Sequence, residues 1–114
     1  MLQSAPAHIR LLNLMSAIRN LSPFDVMNTD EEEFLRGLIV QWHQRDAITI
    51  GELMRTAGGA SQSTIYRRLM ALRDKGLISL RLDKSDKRIK FVEPTALADK
   101  YARHISDALT GVTT

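Results

Sequence analysis

The chain has 114 residues, of which 44% are hydrophobic and 25% are charged, and it contains no cysteine. This length supports one modest hydrophobic core, so we expect a single domain over residues 1–114 without extended disorder. The lack of cysteine excludes disulfides, thiolate metal sites and cysteine nucleophiles. The apolar runs are too short to span a bilayer, and the first basic residues lie inside the apolar pattern rather than before it, unlike a signal peptide. We therefore expect a cytoplasmic protein without a membrane partner.

The positive charge is concentrated in one segment. The net charge of the whole chain is +3, whereas residues 61–90 hold nine Lys or Arg against three Asp or Glu, a net charge of +6. Such local asymmetry is typical of a face that binds a polyanion, although a solvated basic surface would give the same pattern.

Two helices are predicted in the first part of the chain. The first covers residues 5–21, with Ser4 as its candidate N-cap and Pro6 in its first turn, and it ends before Pro23. The second begins at a capping box formed by Thr29 and Glu32. The second helix has one narrow apolar stripe that favours a place in the core, made of Phe34, Leu35, Leu38, Ile39 and Trp42.

Two further helices follow with a turn between them. Thr49 and Glu52 form a capping box for a short third helix, and Gly58-Gly59 predicts a turn after it. The fourth helix begins after Ser61 or Ser63 and ends before Gly76, which stands where a left-handed C-cap belongs. Its buried stripe is predicted to consist of Ile65, Leu69 and Leu72. The opposite face carries Ser63, Arg67, Met70 and Ala71, with Thr64 and Tyr66 at its edges.

A β-hairpin and a last helix complete the pattern. The stretches LISLRLD and RIKFV alternate apolar and polar residues on either side of a polar turn that contains Lys84 and Lys87. Pro94 stops the second strand, and Thr95 caps a final helix over residues 95–110. Two short helices joined by a turn and followed by a hairpin predict a mainly α fold, a winged helix-turn-helix with a three-helix core over residues 30–94.

This architecture predicts a recognition helix that reads duplex DNA. The fourth helix would lie in the major groove, where the Arg67 guanidinium can donate to guanine O6 and N7. Gln62, Ser63 and Thr64 can serve bases or phosphates, whereas Tyr66 and Arg68 suit the backbone better. Tyr66 could instead be a packing residue. We interpret Met70 as a spacer against the groove wall.

The hairpin resembles the wing of the MarR-type winged-helix transcription regulators, and the resemblance extends over about residues 48–98. Asp86-Lys87-Arg88 looks like the Asp-x-Arg wing signature of that family, with Thr95 placed where the helix after the wing usually begins. The chain differs from the family pattern at Pro94 and Ala98. The resemblance implies that Arg88 enters the minor groove, supported by Asp86.

The terminal helices predict a homodimer, because they carry more apolar surface than one winged-helix core requires. Terminal helices also intertwine into dimers in the family that the chain resembles. The predicted dimerisation residues are Leu11, Leu14, Met15, Ile18, Tyr101, Ile105 and Leu109.

An enzyme is not predicted. His8, His43 and His104 are isolated and lack metal-ligand spacing, and no nucleophile elbow or phosphate loop occurs, so we expect no cofactor and no metal. The sequence favours a dimeric DNA-binding transcription regulator, most plausibly a repressor. Alternatives are a winged-helix module that docks an acidic protein and a replication or partition protein of a mobile element. A small-molecule effector is compatible with the sequence, but no polar cluster supports one.

Overall fold

The computed structural model describes residues 5–45, 47–56 and 61–113, so the candidate cap Ser4 and the turn at Gly58-Gly59 lie outside the described residues. Within these ranges five helices accompany a two-stranded antiparallel sheet, which confirms the predicted winged helix-turn-helix fold. In chain order the elements are α1 (Ala7–Arg19), a short 3-10 helix (Phe24–Val26), α2 (Thr29–Gln44), α3 (Ile50–Arg55), α4 (Gln62–Asp74), β1 (Ile78–Leu82), β2 (Lys90–Pro94) and α5 (Ala96–Thr113).

The chain divides into two compact units. One consists of Met1–Val26 with Asp99–Thr114 and is called here the terminal unit. The other is Met27–Ala98 and contains α2, α3, α4 and the hairpin. We call it the winged-helix unit.

The core of the winged-helix unit is built from single faces of its helices and the hairpin. The predicted stripe of α4 is confirmed, because Leu69 and Leu72 are fully buried and Ile65 is nearly so. The other buried apolar side chains of this unit are Met27, Leu35, Leu38, Ile48, Leu53, Leu77, Ile78, Val92 and Ala98. Burial on one face of each element leaves the other face of α4 available to solvent.

The start of α2 differs from the prediction by one residue. Asn28, not Thr29, is the N-cap, and its side chain accepts a hydrogen bond from the Glu31 amide at 2.8 Å. The Glu31 carboxylate accepts in turn from the Asn28 amide at 3.1 Å. The prediction of Thr29 with Glu32 was wrong because residue pairs 28/31 and 29/32 both fit the capping-box spacing. The observed choice buries Glu31, which forms an ion pair with Lys75 beyond the end of α4.

The end of α4 is a Schellman motif. The Gly76 amide donates to the Arg73 carbonyl at 3.0 Å, and the Leu77 amide donates to the Leu72 carbonyl at 2.9 Å. Gly76 has φ +81°, the left-handed conformation that the sequence predicted. The Gly76 carbonyl then accepts from the Thr95 hydroxyl at 2.7 Å.

The hairpin is attached to the segment that precedes α3. β1 and β2 pair antiparallel, with Ile78 opposite Pro94 and Leu82 opposite Lys90. On its other edge, the Val92 amide donates to the Ile48 carbonyl at 2.8 Å. Trp42, predicted as core, is only partly buried, and its indole donates to the Val92 carbonyl at 2.9 Å. These bonds fix the wing relative to α2 and α3.

The terminal unit has an aromatic centre. Phe24 is almost fully buried and lies edge-to-face with Tyr101, with ring centroids 5.2 Å apart, and with His104 at 5.6 Å. The Arg10 guanidinium donates to the Gly111 carbonyl at 2.9 Å and so joins α1 to α5. Thr95 caps α5 as predicted, because its hydroxyl accepts from the Ala98 amide at 3.2 Å.

Spanning a membrane would require a longer and more apolar helix than any that the described residues form.

Two glycines test how backbone conformation sets the stability of the winged-helix unit. A Cβ added at Gly76 or at Gly37 in α2 would meet no atom within 4 Å, so neither substitution has a steric cost from neighbours. We expect Gly76→Ala to destabilise by about 1–2 kcal/mol, because its backbone is left-handed. Gly37→Ala should stabilise by about 0.5–1 kcal/mol, because alanine is the better helix former. Urea unfolding of both variants measures the difference, and equal effects would contradict it.

Candidate functional site

The first turn of α4 is held by a hydroxyl cluster. Ser61 is the N-cap, which resolves the choice between Ser61 and Ser63. Its Oγ accepts from the Thr64 amide at 3.2 Å and donates to the Thr64 hydroxyl at 2.8 Å. The Ser63 hydroxyl lies 3.3 Å from the Ser61 hydroxyl. Gln62 and Ser63 are exposed and Thr64 is partly buried, so this turn presents small polar groups to solvent.

The outer face of α4 carries an aromatic residue and a cation. Tyr66 is 47% exposed, so a DNA contact and the alternative of a partly buried packing residue both stay predictions. Arg67 is also exposed, and Met70 and Ala71 further along the helix are partly buried. The predicted outer face is therefore exposed at Ser63 and Arg67, whereas its members Met70 and Ala71 are partly buried.

Arg68 lies next to a carboxylate of α2. Its Nη2 lies 3.9 Å from Asp30 Oδ2, and its side chain is 30% exposed. It lines a cleft of about 230 Å³ beside α2 that also contains Glu33 and Phe34. Arg68 therefore lies beside the Asp30 carboxylate while staying partly exposed, and its contact with a nucleic-acid backbone stays a prediction. Positions 67 and 68 are adjacent in sequence but 100° apart around the helix.

Two carboxylates shape the turn between β1 and β2. The Asp83 side chain accepts from the amides of Ser85 at 3.0 Å and of Asp86 at 2.9 Å. The Asp83 amide donates to the Ile89 carbonyl at 3.0 Å and closes the turn. This arrangement leaves Lys84 and Lys87 exposed at the wing tip.

Asp86 holds Arg88 in one orientation. Asp86 Oδ1 accepts from Arg88 Nε and Oδ2 accepts from Arg88 Nη2, each at 3.0 Å. Oδ1 also accepts from the Arg88 amide at 3.0 Å. The Arg88 side chain and backbone hydrogen bonds lower the pKa of Asp86 below its ordinary value, and the same contact raises the pKa of Arg88. The Arg88 side chain is 90% exposed, so an oriented cation projects from the wing.

A cleft lies between α3, α4 and the wing. It has a volume of about 540 Å³ and is lined by Thr49, Ile50, Gly51, Arg55, Tyr66, Arg88, Ile89 and Lys90. It brings together two predicted site residues, Tyr66 and Arg88, but Arg67 does not line it. Sequence reasoning missed Arg55 and Lys90. Their charge was visible in the sequence, but only the fold shows that the end of α3 and the start of β2 meet.

Some of the apolar residues of the terminal unit that were predicted to form a dimer interface are buried within the chain itself. Tyr101 is fully buried, so it is a core residue here, which corrects its prediction as a contact with a second copy. Ile18 is 8% exposed, and its predicted role in a dimer stays a prediction. An open groove of about 400 Å³ is lined by Leu14, Ala17, Ile18, Leu21, His104, Asp107, Ala108 and Gly111. Of the remaining predicted dimerisation residues, Leu14 and Leu109 are exposed, while Leu11, Met15 and Ile105 are partly buried.

No group of three or more His, Cys, Asp or Glu side chains within the described ranges could hold a metal ion.

Comparisons with known proteins identify relatives by fold. Neither a protein-family model nor a curated protein sequence matches this chain. Among solved structures, a mutant of S. aureus MepR superposes with a TM-score of 0.63 at 20% identity, covering 94% of this chain and 72% of that one. Bordetella bronchiseptica BpsR, whose DNA binding is regulated by 6-hydroxynicotinic acid, gives a TM-score of 0.56 at 15% identity over 94% of this chain and 75% of its own.

A repressor is among the similar structures as well. The adhesin competence repressor AdcR from Streptococcus pyogenes has a TM-score of 0.51 at 22% identity and covers 96% of this chain and 80% of its own. These neighbours are MarR-family regulators. The chain therefore has the winged-helix fold of the MarR-type transcription regulators.

Proposed function

We propose that this chain is a sequence-specific, duplex-DNA-binding transcription regulator that acts as a homodimer. The recognition helix α4 enters the major groove and the wing reaches the minor groove. A dimer of this kind would act most simply as a repressor, by occluding a promoter. The winged-helix unit binds DNA, and the terminal unit joins two copies.

One observation carries the proposal. The outer face of α4 and the wing tip present Arg67 and Arg88 on a segment with a net charge of +6, in a fold shared with MarR-type regulators. Arg88 is oriented by Asp86, and this oriented side chain requires little ordering before it binds. The same face carries the small residue Ser63 beside Arg67, which allows close approach to base edges.

The two cations have different tasks in this proposal. Arg67 lies near the start of α4, where recognition helices contact base edges, and a bidentate contact to guanine contributes roughly 1–3 kcal/mol of discrimination. Arg88 binds through charge and groove width, so it contributes to affinity across many sequences.

A protein-docking module is the second candidate, because winged helices also bind proteins. A docking face would be richer in aromatic and large apolar residues, whereas the exposed first turn of α4 carries Gln62 and Ser63. A replication or partition protein of a mobile element would bind DNA with the same surface. Such a protein would differ from a regulator in where its DNA-binding sites lie in the genome.

Selection of genomic fragments by the purified protein tests the proposed function. A regulator should enrich a short palindrome in promoter regions, with half-site centres one DNA turn, ~34 Å, apart. Enrichment of arrays of repeated sites at replication origins would favour the mobile-element alternative. Failure to enrich any duplex at low salt would contradict DNA binding.

Arg67→Ala tests the recognition helix. The variant should fold normally and lose roughly tenfold or more of its preference for specific over random duplex, since it removes only a base contact. The matched control is Arg73→Ala, which deletes the same side chain six residues further along α4, where Arg73 contacts Asp74. Titrations with both duplexes measure the ratio. A wild-type ratio for Arg67→Ala would exclude Arg67 as a reader.

Arg88→Ala tests the wing. It should weaken binding to all duplexes, reduce the slope of log K against log salt by about 1, and cost most at narrow A/T-rich minor grooves. Asp86→Asn keeps the shape of the tip but not the paired carboxylate, so its effect should be smaller than that of Arg88→Ala. Arg103→Ala, an exposed cation of α5, is the control for a lost charge. Equal slopes for Arg88→Ala and Arg103→Ala would show that the wing does not contact DNA.

Leu14→Asp tests the dimer. Leu14 is 38% exposed and lines the apolar groove of the terminal unit, so a charge there should separate two copies while the helical content is retained. Ser16→Asp places the same charge on the opposite side of α1 and should remain dimeric. Light scattering at tens of micromolar measures the mass. A monomeric wild type would contradict the dimer directly.

A further inference from the structure

We propose that Arg55 and Lys90 bind the DNA phosphate backbone in the cleft between α3, α4 and the wing. The inference rests on the proposed function and extends it to two residues outside the recognition helix and the wing tip. The cleft has a volume of about 540 Å³ and includes three cationic side chains, those of Arg55, Arg88 and Lys90. Within the described part of the chain, no Asp or Glu lines it.

Two other concave surfaces of the winged-helix unit differ in charge. The cleft beside α2 contains Asp30 and Glu33 next to Arg68, and a pocket of about 290 Å³ beside Trp42 contains Glu93. A polyanion would meet carboxylates in both. The cleft at Arg55 and Lys90 is lined by cationic side chains and by no carboxylate, so it is the most favourable of the three for a DNA phosphate backbone.

Two carboxylates of neighbouring elements, Glu52 and Asp86, are already engaged with other groups. Glu52, one turn before Arg55, accepts from the Thr49 amide at 3.1 Å and forms an ion pair with Arg45. Asp86 is held by Arg88.

On the hairpin, Glu93 accepts from Arg81 Nε at 2.9 Å, and Arg81 stacks on the Phe91 ring at 4.5 Å. Across residues 5–45, 47–56 and 61–113, no ion pair or side-chain hydrogen bond engages Arg55, Tyr66 or Lys90. Arg55 and Lys90 are therefore available to an external anion without breaking a contact among the described residues, whereas Arg88 is paired with Asp86.

The shape of the cleft permits close approach of a backbone. Gly51 forms part of its wall, and a Cβ placed there would lie 3.6 Å from Arg55 Nη1. The missing side chain leaves space beside the Arg55 guanidinium. Tyr66 contributes an exposed phenol that can donate to a phosphate oxygen. The first helix of a helix-turn-helix crosses the DNA backbone in general, which is consistent with a phosphate contact from the end of α3.

These contacts would supply affinity without sequence preference, because phosphates carry no base identity. Arg55→Gln and Lys90→Gln keep most of each side chain and remove its charge. Each variant should bind specific and random duplexes roughly tenfold more weakly at low salt, with an unchanged specificity ratio and a salt slope reduced by about 1. Arg55→Lys should restore most of the loss. Arg73→Gln, on the exposed end of α4, is the matched control and should bind as wild type.

Two further measurements separate a backbone contact from a general loss of charge. Duplexes with a single neutral methylphosphonate, scanned along both strands, should include one position per half-site at which Arg55→Gln causes no additional loss, because the phosphate charge is already absent. Gly51→Leu, at an exposed helical position, fills the cleft without changing charge and should weaken binding to all duplexes.

The outcomes distinguish this inference from the proposed function. If the wild type binds duplex DNA and Arg67→Ala relaxes its specificity, while Arg55→Gln, Lys90→Gln and Gly51→Leu bind as wild type, the inference is overturned and the proposed function stands. Losses in Arg55→Gln and Lys90→Gln no larger than that in Arg73→Gln would also overturn it. A wild type that binds no duplex would overturn both.

Discussion

The burial of one face of α4 decides which side chains of this helix the winged-helix unit presents to solvent. Leu69 and Leu72 have no exposed surface, so α4 cannot rotate about its axis without exposing apolar side chains to water, at roughly 1.5–3 kcal/mol for each fully buried Leu. That fixed rotation puts Tyr66 and Arg67 outside and turns Arg68 toward α2. The ends of the helix are fixed by separate contacts, with Ser61 at the start and the Schellman motif at Gly76. A recognition surface needs such a rigid support, because a misplaced guanidinium loses its base contact.

Within the basic segment 61–90, some cations are paired with carboxylates and others are not. The cations Arg81, Arg68 and Lys75 lie beside carboxylates of the winged-helix unit. Arg88 is paired too, but its partner Asp86 is its own neighbour in the wing and leaves it 90% exposed. The net charge of +6 therefore overstates the number of available cations, and their location is more informative than their sum. Arg55 and Lys90, which have no carboxylate partner among the residues that the structure describes, line the cleft where α3, α4 and the wing meet.

Periodicity predicted much of this fold. The spacing of Ile65, Leu69 and Leu72 defined the buried face of α4, and strand alternation with a polar turn defined the wing. Local pattern did not decide between Asn28 and Thr29 as a cap, since both positions satisfy the same spacing. Local sequence pattern also did not predict the contacts between elements that are distant in sequence. The pairing of Arg68 with Asp30, the meeting of Arg55 with Lys90, and the burial of Tyr101 against Phe24 follow from tertiary packing. An apolar excess on α1 and α5 indicated surplus surface, but could not say which residues the chain would bury itself.

We propose that α4 reads the major groove of duplex DNA as one of a symmetric pair. Methylation interference at guanine N7 measures this most directly, because the modified atom lies in the major groove and adds a methyl group where the Arg67 guanidinium would donate. On a duplex selected by the protein, we expect interference at two symmetry-related clusters whose centres are about 10–10.5 base pairs apart. Binding that tolerates methylation at every guanine N7 in the protected region would contradict it.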